Sequence, residues 1–96
     1  MNYNVFLSRK ATKQYNNLDH HIQNKIKSIL SELKQDPTKG FSLTGKKYIG
    51  LKYIKISHKN TEYRAVYDIC DAKQEVLVIF LGTRENFYKE LRRYLG

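Results

Sequence analysis

The sequence predicts a single α+β domain in the order β-α-α-β-β-β-α, with two N-terminal helices packed on one face of an antiparallel sheet and a C-terminal helix. Three observations lead there. Apolar residues recur at helical spacing through the first third of the chain, and they change to strand-like runs of Ile, Val, Tyr and Phe after residue 50. The whole chain, 96 residues, is long enough for one modest core and no second. The composition is globular, 41% hydrophobic and 28% charged with five Gly and one Pro, which excludes disordered, collagen-like and coiled-coil organisation.

Tyr3, Val5 and Leu7 alternate with Asn2, Asn4 and Phe6, the period of a short first strand. Ser8 offers an N-cap oxygen, and Ala11, Tyr15 and Leu18 follow at helical spacing. Asp19 offers a second cap. Beyond it Ile22, Ile26, Ile29, Leu30 and Leu33 form one apolar stripe, which leaves Lys25 on the exposed side, where its replacement should change little. Asp36-Pro37 ends this helix, because the residue before a proline is pushed out of helical backbone. A polar loop rich in Lys and Gly runs to about residue 48. Strands over 51–57, 62–69 and 75–81 then form a meander across short breaks at 58–61 and 71–74. Every residue of 76–81 is apolar, as in a strand covered on both faces. Gly82 closes it, and Phe87, Leu91 and Leu95 mark one face of the last helix.

Eighteen Lys and Arg against nine Asp and Glu leave a formal charge of +9, which favours an anionic partner. Residues 39–64 hold seven of the cations (Lys39, Lys46, Lys47, Lys52, Lys55, Lys59 and Arg64) and one acid, Glu62. The single cysteine, Cys70, cannot form an internal disulfide, and no metal-ligand spacing, P-loop or dinucleotide fingerprint is present. Without a signal-peptide pattern or a membrane-length apolar run, the chain reads as a cytoplasmic protein that needs neither membrane nor cofactor.

Register makes the charge informative. A hairpin closing symmetrically around Lys59-Asn60 sets Lys55 opposite Arg64 and Ser57 opposite Glu62, with Ile54 facing Ala65 and Ile56 facing Tyr63 on the core side. A second hairpin centred on Ala72-Lys73 sets Arg64 opposite Leu81 and Glu62 opposite Thr83, so Arg84 begins beside both; a one-residue bulge would shift this pairing. Like charges directly opposed destabilise a sheet, so the juxtaposition implies an anion that relieves it. Tyr88 lies one helical turn after Arg84. Fixed cations with a phenol suit phosphodiester chemistry on RNA, where in-line attack by a 2′-OH adds charge to the non-bridging oxygens. The candidate catalytic residues are therefore Lys55, Arg64, Arg84 and Tyr88. Lys46, Lys47, Lys52, Ser57, His58 and Lys59 are candidate RNA contacts. The structural alternatives are an ion pair of either arginine with Glu62, and a Tyr88 ring that merely packs on the sheet. His20 and His21 read as solvated corner residues, and Cys70 as a small buried or turn-side apolar group.

The pattern resembles the RelE/ParE superfamily of toxins from bacterial type II toxin–antitoxin pairs. It is carried by Ser8-Arg9-Lys10-Ala11, Asp36-Pro37, Leu43-Thr44-Gly45, Glu62-Tyr63-Arg64-Ala65-Val66-Tyr67 and Leu81-Gly82-Thr83-Arg84-Glu85-Asn86-Phe87-Tyr88, in that order across essentially the whole chain. The resemblance implies one RelE-like toxin domain over residues 1–96 with a microbial-ribonuclease-like fold. It also implies a cognate antitoxin, and cleavage of mRNA at the ribosomal A site with Arg64, Arg84 and Tyr88 in the basic cluster. Two departures stand out. Ser57 occupies the place of a second strand lysine, and Thr83 the place where many relatives carry His. These leave open a ParE-like inhibitor of DNA gyrase that cuts nothing, or a plain basic RNA-binding module.

Overall fold

The computed structural model describes residues 2–95, apart from the side chains of Asn86, Tyr94 and Leu95, so the expectation for Leu95 lies outside the described residues. The elements follow the expected order: β1 (Asn4–Leu7), α1 (Arg9–Asn16), α2 (His20–Gln35), β2 (Phe41–Ser42), β3 (Leu51–His58), β4 (Thr61–Cys70), β5 (Glu75–Thr83) and α3 (Phe87–Leu95). The two-residue β2 is an addition, lying within the segment expected to be only a loop.

Both caps form. Ser8 Oγ accepts from the Ala11 N–H at 3.1 Å and donates to the Ile79 carbonyl at 3.4 Å, which ties the start of α1 to β5. Asp19 accepts from the His21 N–H at 3.0 Å. Asp36 leaves the helical region and its carboxylate caps a short 3-10 turn, Pro37–Lys39, by accepting from Thr38 N–H at 3.2 Å. The chain is then pinned from inside. The buried Tyr67 hydroxyl donates to the Pro37 carbonyl at 2.7 Å and accepts from the Gly40 N–H at 3.1 Å. A side chain at Gly40 would run into that hydroxyl and the Tyr53 carbonyl, so this approach requires glycine.

The five strands form one sheet in the order β1-β5-β4-β3-β2. It is mixed rather than purely antiparallel, because β1 runs parallel to β5 with Val5 beside Val76. A chain that leaves β1 into two helices returns on a different strand, and the parallel partner is invisible to local periodicity. The first hairpin has the expected register, with Lys55 opposite Arg64 and Ser57 opposite Glu62. Its turn is Lys59-Asn60, both at positive φ (47° and 65°), the conformation that matches strand twist in two-residue loops. The second hairpin departs from expectation. A bulge leaves Ile79 unpaired, so Arg64 faces Gly82 and Tyr63 faces Thr83. The extra residue shifts parity, which returns Leu81 to the same buried face as Val76 and Val78.

Two cores result. On one face Ile22, Ile26, Leu30 and Leu33 of α2 and Ala11 of α1 pack on Ile54, Ile56, Ala65, Tyr67, Val76 and Val78. On the other face Phe87 and Leu91 of α3 pack on Val66, Phe80, Leu43 and Tyr48. Thus α3 covers the sheet face opposite α1 and α2. Leu77 is exposed, so β5 is covered on both sides only over its second half.

Candidate nucleic-acid interface

Strand alternation puts Tyr53 and Lys55 of β3 and Glu62 and Arg64 of β4 on the α3 side of the sheet. Arg64 Nε donates to Glu62 Oε2 at 2.8 Å, and the Arg64 side chain is only 12% exposed. Its guanidinium carbon lies 4.6 Å from the Tyr53 ring centroid and 4.9 Å from that of Phe87. Lys55 Nζ lies 4.8 Å from the Phe41 centroid. These rings are themselves a row: Phe41 to Tyr53 at 5.5 Å, Tyr53 to Phe87 at 5.4 Å and Phe87 to Tyr88 at 4.8 Å. The negative ring faces hold two opposed cations in place without neutralising them. These supporting aromatics were not among the expected site residues. Tyr53 could have been found, since it shares the face of Lys55 at strand period, whereas Phe41 and Phe87 arrive from other elements.

Glu62 is the counter-ion of Arg64. Its carboxyl is held below the ordinary value first by the hydrogen bond from Arg64 and then by the charges of Arg64, Lys55 and Arg84. Lys55 stands opposite Arg64 in the register, Arg64 is paired with Glu62, and Arg84 borders the same groove as Glu62. Arg84, exposed in the 3-10 turn Arg84–Asn86, lines a groove of about 480 Å³ with Glu62, Ser57, His58, Lys59 and Lys25.

Lys25 corrects an expectation. It does stand on the exposed side of α2, but its ammonium reaches β3 and donates to the Ser57 carbonyl at 3.0 Å. His21 is likewise no free corner residue, since its ring stacks on His58 with centroids 6.3 Å apart and planes at 19°. Burial lowers the His58 pKa below its ordinary value, and the charges of Lys25 and Lys59 lower it further, so the imidazole is neutral at neutral pH. Its Nε2 is shielded and has no hydrogen-bond partner among the described residues.

The remaining expected residues divide. Tyr88 is 40% exposed, with its ring against Phe87 and 6.1 Å from that of Tyr48, so it stands one ring away from Arg64. Lys46 and Lys47 are exposed on the 3-10 turn Lys46–Tyr48 that carries Tyr48. Lys52 shares strand parity with Ile54 and Ile56, donates to Ser42 Oγ at 3.4 Å, and stands on the opposite face from Arg64. Cys70 is exposed at the end of β4, beside the turn. Among the described residues no group of three His, Cys, Asp or Glu side chains is placed to hold a metal ion.

The family model of the ParE-like toxin of type II bacterial toxin–antitoxin systems matches residues 5–92. The chain belongs to this family. It is the toxin of a toxin–antitoxin pair. Solved structures agree in fold. A double Arg-to-Ala mutant of the Escherichia coli toxin RelE in the free state is 26% identical, with a TM-score of 0.75 over 97% of this chain and 98% of that one. A chain of the intact E. coli RelBE toxin–antitoxin complex is 27% identical, with a TM-score of 0.72 over 83% of this chain and 94% of that one. A chain of a RelBE complex from Mycobacterium tuberculosis, 21% identical, has a TM-score of 0.72 over 88% of this chain and 93% of that one. Curated protein sequences provide no match. The ParE-like toxin has an antitoxin as its partner, in keeping with the two RelBE complexes among these structures. No helix among the described residues is long and apolar enough to cross a membrane.

Proposed function

We propose that this toxin is an endoribonuclease that cleaves mRNA on the ribosome, at the A site, through the cluster of Lys55, Arg64, Arg84 and Tyr88. The observation that carries the reading is the opposition of Lys55 and Arg64 across β3 and β4, with Arg64 bonded to Glu62 and Arg84 lining the groove beside that carboxylate. A site whose arginine already holds a carboxylate, with Lys55 opposite it and Arg84 on the same groove, offers charge and donors to a phosphodiester of the same sign. In the reaction the ribose 2′-oxygen attacks phosphorus, the 5′-oxygen leaves, and a 2′,3′-cyclic phosphate forms. Negative charge grows on the non-bridging oxygens, where Arg64 and Arg84 act. Arg64 is the pre-oriented donor, because two rings and Glu62 fix its plane. Arg84, exposed, approaches from the groove side. The 2′-hydroxyl proton must leave and the 5′-oxygen must gain one; the Lys55 ammonium is a donor for the second step, and the Tyr88 hydroxyl can serve either transfer or hold the substrate. Ser57, His58 and Lys59, which line the groove with Arg84, and the exposed Lys46 and Lys47 are assigned here as RNA contacts.

The test is a translating bacterial extract to which purified toxin is added, with new mRNA 3′ ends mapped by primer extension. Cleavage within codons on stalled ribosomes supports the reading, and intact mRNA with translation running on defeats it. A second reading is inhibition of DNA gyrase without cleavage. It is favoured by the match to a ParE-like model and by Ser57 and Thr83 at positions where RelE-type enzymes carry Lys and His. A parallel supercoiling assay with purified gyrase separates the two.

A further inference from the structure

We propose that the groove between α2 and the uncovered edge of β3 is a nucleotide subsite, which takes the base of an RNA residue flanking the phosphate held by Arg64 and Arg84. The proposal rests on the ribonuclease reading above and adds to it a place for the base. Strand β2 pairs with Lys52 and Tyr53, so the outer edge of β3 over residues 54–58 has no strand partner among the described residues. The Leu51 and Ser57 carbonyls both accept hydrogen bonds from that side, from the Leu43 N–H and from Lys25 Nζ. Alternation along the strand turns the Lys55 peptide groups the same way.

Helix α2 runs alongside and closes a groove of about 460 Å³, within the range of small-ligand sites. Ile29 and Ile56 supply its apolar surface, and Asn24, Ser28, Lys55 and Ser57 its polar lining. That combination suits a nucleobase, which has two apolar faces and an edge of donors and acceptors. The Asn24 amide and the Lys55 peptide each offer both kinds of group.

Two further features select a nucleotide. Lys25 and Ser57 line this groove and also the cationic groove containing Arg84, so the two adjoin. An open strand edge also invites a peptide strand. Here, however, the Lys25 ammonium already occupies the Ser57 carbonyl that an added strand would need. A phosphate can share that ammonium, whereas a strand must displace it. Lys25 and Lys55 at the rim complement an anionic backbone.

The experiment measures binding of the full chain to a fluorescent RNA trinucleotide with 2′-O-methyl riboses, which cannot be cleaved, and to the same oligomer with its central base removed. Wild type should bind the intact oligomer about tenfold more tightly, the scale of one well-held base. Ser28→Trp, which fills the groove from an exposed helix position, should abolish most of that preference and leave the abasic affinity unchanged. Asn24→Ala, which removes the amide and leaves the groove open, should reduce the preference. Arg84→Ala should weaken both oligomers alike. Equal affinity of wild type for the two oligomers, no measurable binding of either, or equal weakening of both by Ser28→Trp would each overturn the subsite. It would also be overturned if Ser28→Trp blocked an acidic strand-forming peptide while the base preference survived; the groove would then be a protein site. Ribosome-dependent cleavage is read separately, so a failed base preference with intact cleavage removes the subsite alone.

Discussion

Replacing Arg64 and Arg84 by alanine should give two different results, although both residues are assigned to the phosphate. Each removes a positioned donor, which typically reduces the rate by about 10²–10³. Their structural settings are unequal. Arg84 is exposed on a 3-10 turn, so Arg84→Ala should melt within a degree or two of wild type. Arg64 is 12% exposed at its side chain, stacked against Tyr53 and Phe87, and bonded to Glu62 at 2.8 Å. Two cation–π contacts at about 0.5–1 kcal/mol each and a charge-assisted hydrogen bond outweigh the relief of like-charge opposition to Lys55, for a net loss of about 2 kcal/mol. In a chain of 96 residues that corresponds to a melting temperature lower by roughly 10 °C. Arg64→Lys keeps the charge but loses the planar stack and the fork, so it should recover only part of both losses. The assays are thermal melting by circular dichroism and cleavage on programmed ribosomes, both at a temperature where every variant is folded. If Arg64→Ala melts like wild type, the sandwich is not a stabilising contact. If folded Arg84→Ala and Arg64→Ala both cleave at the wild-type rate, the phosphate assignment fails.

Four more outcomes are expected. Glu62→Gln should tighten binding of short RNA, because a competing carboxylate leaves the cluster; its stability deficit should be full above the ordinary carboxyl pKa of 4.5 and vanish as pH falls through the lowered folded-state value, read from melting at graded pH. The His58 pKa is also lowered by folding, so the unfolded chain binds that proton first and stability falls as pH drops through 6.5; His58→Gln should flatten that limb of the melting profile. Gly40→Ala should destabilise by about 1–3 kcal/mol in denaturant titration, because the added methyl meets the Tyr67 hydroxyl and the Tyr53 carbonyl. Tyr88→Phe should keep the ring against Phe87 and melt normally, and a tenfold or greater loss of cleavage would assign its hydroxyl to proton transfer or substrate orientation.

Local chemistry in the chain determined the caps at Ser8 and Asp19, the stop at Asp36-Pro37, the apolar stripe of α2 and the register of the first hairpin. Each depends on residues within a few positions, or on a period of 2 or 3.6 that any local segment displays. The opposition of Lys55 and Arg64 was legible for that reason. Lys52 was expected as an RNA contact, yet its parity with Ile54 and Ile56 puts it on the face opposite Arg64. What the fold alone decided depends on groups far apart in sequence. The parallel pairing of β1 with β5, the bulge at Ile79 and the seating of α3 opposite α1 and α2 follow from which apolar faces can be buried together. The same holds at the site. Phe41, Tyr53 and Phe87 come from three elements to hold Lys55 and Arg64, and Lys25 crosses from α2 to Ser57, 32 residues away. A sequence period specifies which side of its own element a residue occupies. What stands on that side is set by the packing of the other elements, and it is this packing that seats Arg64 between Tyr53, Phe87 and Glu62.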